Sequence, residues 1–120
     1  MPKFSFDPLV AADLVDALAN FQRFKIVSML RDGEMDVKSI TAELDMAQSA
    51  VSQHLKKLRD TKVLKTRRDA QTIFYSVANL GAITLIDAAV EAMSSPPTTP
   101  DMMFGPHLRE ALMEPLVTRP

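Results

Sequence analysis

The chain has 120 residues and contains no cysteine and no tryptophan. Without thiols there can be no disulfide, no thiolate metal site and no cysteine redox switch. Glycine is scarce, with three in all, so no glycine-rich loop is available to cradle a phosphate. The two histidines, His54 and His107, are isolated, and no nucleophile–base pair accompanies them. The chain is therefore read as having no enzymatic chemistry. No stretch approaches the ~18 consecutive apolar residues of a membrane-crossing helix. Met1-Pro2-Lys3-Phe4 leads into no apolar signal segment, which makes the cytoplasm the expected address. An overall excess of one charge is also lacking, the net charge being −1.

What is present is ordinary globular material, with 47% hydrophobic and 24% charged residues. The length suits one domain with a modest core, and pairing with a second copy would add buried surface. The charge is unevenly spread. Between Met46 and Thr72 there are seven basic residues (Lys56, Lys57, Arg59, Lys62, Lys65, Arg67, Arg68) and two acidic ones (Asp60, Asp69). That segment has a local excess of five positive charges, leaving the remainder at −6. Such a field matches a phosphate backbone, although a solvated charged helix would produce the same count.

Periodicity and breakers divide the chain as follows. Pro2 and Pro8 mark an irregular arm over residues 1–8. Leu9 to Leu18 reads as a first helix, with Val10, Leu14 and Leu18 on one side. Asn20 can cap a second helix whose apolar face is Phe24, Ile26, Val27 and Leu30, with Gly33 expected in the left-handed position after its end. Asp36 can cap a short third helix, Val37 to Leu44, with Val37, Ile40 and Leu44 inward. Leu44-Asp45-Met46 forms a tight turn, in which Asp45 takes a left-handed conformation. A fourth helix over Gln48–Asp60 has Val51, Leu55 and Leu58 as its buried stripe. Two short strands follow, Val63–Arg67 and Thr72–Val77, joined by a hairpin tip at Arg68–Gln71. A last helix, Asn79 to Met93, has Leu80, Ile83, Ile86 and Val90 as its apolar side, widened by Leu85 and Ala89. Prolines 96, 97 and 100 separate this body from a tail over 94–120, in which His107 to Met113 has room for one or two helical turns.

The expected fold is therefore mainly α with a small β-hairpin: a winged helix-turn-helix of about five helices and a two-stranded wing. In such a fold the second helix of the pair is held by one apolar face so that its other face can enter the major groove. Ser49, Ser52 and Gln53 suit that face, since glutamine can make a bidentate contact to adenine and serine can donate or accept. Lys56 and Lys57, about one turn later, suit phosphates, which set register and affinity rather than sequence. The hairpin carries Arg67 and Arg68 toward a phosphate or an adjacent minor groove. Gln48, at the start of the helix, and Gln71 and Thr72, at the tip, complete the expected DNA-contacting set. His54 beside them either meets a phosphate or packs at the edge.

Three blocks resemble one family. Ala17-Leu18-Ala19-Asn20-Phe21-Gln22-Arg23-Phe24-Lys25-Ile26 is similar to the opening motif of ArsR-type (arsenic-repressor-like) bacterial regulators. Gln48–Arg59 resembles their recognition helix and Arg67–Ser76 their wing, so that the likeness spans roughly residues 10–93. The resemblance implies a repressor of a palindromic operator, working as a dimer paired through its first and last helices. The matching positions are Leu9, Leu14 and Leu18 in the first helix and Leu80, Ile83, Ile86 and Val90 in the last. The residues depart from the pattern at three places: Ala47 stands where serine usually caps the recognition helix, Asp45 where the turn usually has glycine, and Ala70 where glycine is frequent at the wing tip. Many members of the family respond to metals. One of their site types needs cysteines in the third helix, and Ile40–Asp45 has none; another needs histidines in the last helix, which here offers only Asp87 and Glu91. Two carboxylates make a poor transition-metal site and read better as a solvated acidic face. The resemblance is therefore to a metal-independent subgroup of the nodulation-regulator type, with no cofactor and no metal ligand.

The eight methionines read as core filler, and Met102-Met103 has no thiol beside it to make a soft-metal site. Three segments result: an arm (1–8), a DNA-binding and dimerisation domain (9–93) and a proline-rich tail (94–120). Met102-Met103-Phe104, Leu108 and Leu112 give the tail apolar surface of its own. The alternative to a DNA reader is a winged helix that docks a protein partner instead. The positive segment and the polar face of residues 48–57 weigh against it.

Overall fold

Five helices and three short strands follow one another along residues 3–94, the part of the chain that the computed structural model describes. They are α1 (Pro8–Leu18), α2 (Phe21–Met29), β1 (Met35–Asp36), α3 (Val37–Leu44), α4 (Gln48–Asp60), β2 (Leu64–Asp69), β3 (Thr72–Val77) and α5 (Leu80–Ser94). The chain divides into two units between Ala89 and Val90, and of the second the described residues are the last five of α5. The proline-rich segment after Ser94, the helical turns expected at His107–Met113 and the Met102-Met103 pair lie outside the described residues.

Most helix starts are fixed by side chains that take up orphan backbone N–H groups. The Asp7 carboxylate accepts from Leu9 N at 2.9 Å, with Pro8 at the first helical position. Asn20 Oδ1 accepts from the backbone of Gln22 and Arg23 at 2.9 and 3.1 Å, and Asp36 Oδ1 from Ser39 at 3.1 Å. Asn79 Oδ1 accepts from Gly81 N at 2.8 Å at the start of α5. Arg23 closes the other end of α1, donating from Nε to the Ala17 carbonyl at 2.7 Å and from Nη2 to that of Asp16 at 3.2 Å. Asp45 ends α3 in the left-handed conformation, φ 52° and ψ 50°. Two further non-glycine residues share that region, Lys62 after α4 at φ 64° and Ala70 at the hairpin tip at φ 57°.

One apolar cluster holds these elements together. Leu18, Ile26, Val27 and Leu30 meet Ile40, Leu44, Val51, Leu55 and Leu58, with Val63, Leu64, Tyr75, Ala82 and Ile86 closing it. Among the described residues no polar or charged residue is buried in it.

Several expectations are corrected. The wing belongs to a three-stranded antiparallel sheet of order β1-β3-β2, in which Met35 pairs with Tyr75 and Asp36 with Phe74. The first hairpin strand runs Leu64–Asp69 and not Val63–Arg67, so the tip shrinks to Ala70 and Gln71. Gly33 is not left-handed: α2 ends on Leu30 in right-handed geometry, and Gly33 N donates to the Leu30 carbonyl at 3.3 Å. The buried side of α5 is Ala82 and Ile86, with Ile83 partly covered, whereas Leu80 is 77% exposed. Leu18 and Ile86, expected in a dimer interface, are enclosed by the protomer's own core and offer a partner almost no surface.

Candidate nucleic-acid interface

Helix α4 is the centre of the site. Val51, Leu55 and Leu58 recur at four- and three-residue spacing and are buried, which pins one side of the helix to the body. Gln48, Ser49, Ser52, Gln53, Lys56 and Lys57 are exposed on the rest of its circumference. Ala47 occupies the cap position and makes no side-chain cap bond.

The three-stranded sheet stands beside this face. A cleft of about 540 Å³ separates them, lined by Asp36, Val37, Lys38, Gln48, Ser52, Gln71, Thr72, Ile73 and Tyr75. The start of α4 and the tip of the wing thus face one concave surface, and Gln48, Ser52, Gln71 and Thr72 converge on it. Residues directly opposite each other in an antiparallel pair project from the same side of the sheet. Ile73, Tyr75 and Val77 of β3 pack on the core that holds α4, so Arg68, which pairs with Ile73, projects from the core-facing side of the sheet. Arg67 pairs with Phe74 and belongs to the opposite side.

The basic residues differ in how they are held. Lys56 Nζ lies 2.8 Å from Asp60 Oδ2 one turn along the same helix, with both side chains well exposed. The lysine holds that carboxyl below its ordinary range. Exposed pairs of this kind are worth little, so Lys56 can leave for a phosphate at small cost. Lys57 Nζ is directed toward α1, 3.8 Å from Asp16 Oδ2. His54 is half-buried, and burial first, then the Arg23 guanidinium, lowers its pKa. That environment favours the neutral imidazole packed at the edge of the face. Arg67 is engaged most fully. Its Nε donates to Glu34 Oε2 at 3.0 Å, its Nη2 to Glu34 Oε1, and its guanidinium carbon sits 4.7 Å from the centre of the Phe74 ring. It is therefore not brought together with the other expected DNA contacts.

Away from α4 a number of large apolar residues are exposed, most of them on α1 and α5. Leu9, Leu80 and Val90 of the expected pairing set are largely exposed, and Leu14 and Ile83 are half-buried. Phe4, Phe6, Val10, Val15, Phe21, Leu85 and Met93 are also exposed, outside the expected pairing set. The apolar character of Val10 to Val15, interrupted only by Asp13, and of Leu80 to Met93, interrupted by Thr84, Asp87 and Glu91, is the signal for most of them. A groove of about 450 Å³ runs between α1, α2 and α5, lined mainly by Val15, Phe21, Phe24, Leu85 and Ala89 above a floor of Leu18 and Ile86. On α5, Asp87 is not merely solvated. Arg31 donates to both its oxygens, at 2.5 and 3.0 Å, and holds the carboxyl below its usual range. Among the described residues no three potential metal-binding carboxylates or imidazoles gather at one point, and no helix is long and apolar enough to cross a membrane.

A core-anchored second helix with a polar outer face, next to a β-hairpin that shares its cleft, defines a winged helix-turn-helix regulator that binds DNA. The sequence profile described as "Bacterial regulatory protein, arsR family" matches residues 21–64, from α2 to the first residue of β2. The nodulation protein NolR of Rhizobium meliloti is 39% identical over 87 residues, which cover 72% of this chain and 71% of that protein. The transcriptional activator HlyU of Vibrio cholerae is 39% identical over 77 residues, 64% of this chain and 71% of that one. The solved structure of HlyU from Vibrio cholerae superposes with a TM-score of 0.70 at 33% identity, covering 77% of this chain and all of that one. The chain belongs to the ArsR family of bacterial regulators, and its relatives are regulators of transcription and not enzymes.

Proposed function

We propose that this protein is a repressor that binds an inverted-repeat operator as a homodimer, in the cytoplasm and without a metal effector. Residues 9–93 act as the DNA-binding and dimerisation domain, flanked by the arm and the tail. The observation that carries the reading is the position of α4: its buried stripe leaves Ser49, Ser52 and Gln53 exposed beside a cleft shared with the wing. Gln48, Ser49, Ser52 and Gln53 meet base edges, while Lys56, Arg68, Gln71 and Thr72 meet the backbone on either side. Lys57 and His54 lie at the edge of this footprint and contribute least. The apolar residues of α1 and α5 that the core leaves exposed, among them Leu9, Leu80 and Val90, supply the surface that pairs two copies. Metal independence is favoured by the donor set. The chain has no cysteine, α5 has no histidine, and Asp87 already serves Arg31.

Selection of bound duplexes from a random-sequence pool, followed by footprinting, tests this reading. The expected result is an inverted repeat whose half-sites lie about one DNA turn, ~10 bp, apart. Enrichment of no sequence at low salt would overturn it and favour the protein-docking alternative. Retention of DNA binding and release in the presence of a chelator tests the metal-independent part.

A further inference from the structure

Arg67 lies on the side of the sheet away from α4, yet it is the most tightly engaged side chain of the hairpin. Its strand, β2, is one edge of the sheet; Glu34 directly precedes β1, the other edge. Between them runs β3, and Phe74 on β3 pairs with Arg67 on one side and with Asp36 on the other. The Arg67 guanidinium rests on the Phe74 ring and reaches past it to both carboxylate oxygens of Glu34. The arginine thus crosses the central strand and ties both edges together. Asp36, two residues beyond Glu34, caps α3, the first helix of the reading pair. The tie therefore joins the hairpin to the segment from which the helix-turn-helix starts.

Two physical features make this an orienting device. A planar guanidinium bound through two N–H groups and stacked on a ring has one favoured direction, which a lysine ammonium does not. Strand β1 has only two residues, so it supplies little backbone pairing to hold the wing by itself. Arg67 also has Asp69 Oδ2 4.0 Å from Nη1, so its charge is largely balanced by carboxylates within the wing.

We propose that Arg67 is a positioning residue: strapped to Glu34 across Phe74, it sets the angle of the wing against α4 and does not itself meet a phosphate. This rests on the DNA-reading proposal above and, of the two wing arginines, assigns the phosphate contact to Arg68.

The test compares Arg67→Gln, Glu34→Gln and Arg68→Gln with wild-type protein. The probe is a duplex that the wild-type protein selects from a random pool, with a random-sequence duplex of equal length as reference. Glu34→Gln makes the protein one charge more positive, so simple attraction predicts tighter binding. The strap predicts the reverse for the selected duplex, a loss of about threefold to fivefold. Arg67→Gln should lose a similar factor with an unchanged slope of log affinity against log salt, whereas Arg68→Gln should lower that slope by about 0.9. The exchanged pair Glu34→Arg with Arg67→Glu should recover part of the loss. A slope lowered by Arg67→Gln, or tighter selected binding by Glu34→Gln, would overturn the proposal. Amide hydrogen exchange of the free protein provides an arm that needs no DNA. Either neutral variant should speed exchange of the protected amides in the β1–β3 ladder formed by Met35 and Asp36 with Phe74 and Tyr75, and unchanged exchange there would sink the strap even if no duplex were ever selected.

Discussion

Helices α4 and α5 are of similar length, 13 and 15 residues, but they meet solvent in opposite ways. On α4 every large apolar residue is buried, and what is exposed is serine, glutamine and lysine with Arg59 and Asp60 at its end. On α5 only Ala82 and Ile86 are buried, and Leu80, Leu85, Val90 and Met93 stay exposed. An exposed polar face beside a cleft suits a ligand rich in hydrogen-bonding edges and phosphate. An exposed apolar face suits another protein surface. Under the proposed function, reading and pairing would fall to two different helices, so that each could be damaged without the other.

The sharpest way to break the contrast is to attack what α4 buries. Leu58→Ala removes a fully enclosed side chain and should cost about 2–5 kcal/mol in urea unfolding, taking DNA binding with it because the helix loses its anchor. The second test attacks what α5 exposes. The double variant Leu80→Glu, Val90→Glu should leave the circular-dichroism spectrum unchanged while weakening self-association at least about tenfold in sedimentation velocity, since charges at a desolvated apolar contact cost several times RT. If the variant dimerises as before, α5 is not the pairing surface. The third test lies on the polar face. Gln53→Ala should lower affinity for the selected duplex by ~1–3 kcal/mol and barely alter binding to random DNA, as read by fluorescence anisotropy. Equal loss on both would remove Gln53 from base reading. The smallest effect concerns the cap that α4 lacks. Ala47→Ser should raise unfolding stability by about 0.5–1 kcal/mol by accepting from a first-turn N–H, and no gain would mean that the local backbone cannot present a serine hydroxyl there.

The same pair of helices shows what could be read without coordinates. The bounds of α3 and α4, the Asn20 and Asp36 caps, the left-handed Asp45 and the stripe of Val51, Leu55 and Leu58 were all legible. Each depends on residues within one or two turns of one another. In α5 the apolar residues surround the helix, so periodicity could not choose between Leu80 and Ala82 as the inward side. The two-residue β1 carries no pattern of its own and exists because the chain before α3 passes beside β3. Gly33 was misassigned because the helix ends three residues earlier, in geometry that asks for no glycine. The engagement of Arg67 was out of reach for another reason: its partner Glu34 lies 33 residues away, and nothing between them announces the meeting. Reading residues were therefore found from local chemistry, and the residues that orient them were not.

The left-handed corners at Asp45, Lys62 and Ala70 lie before α4, after it and at the tip of the wing. A side chain in that conformation carries a penalty of roughly 1 kcal/mol that glycine escapes. The DNA-facing half of the protein is thus mildly sprung at its successive joints. It consequently has room to become more heat-resistant through changes at three bends that touch neither a base-reading side chain nor the apolar core.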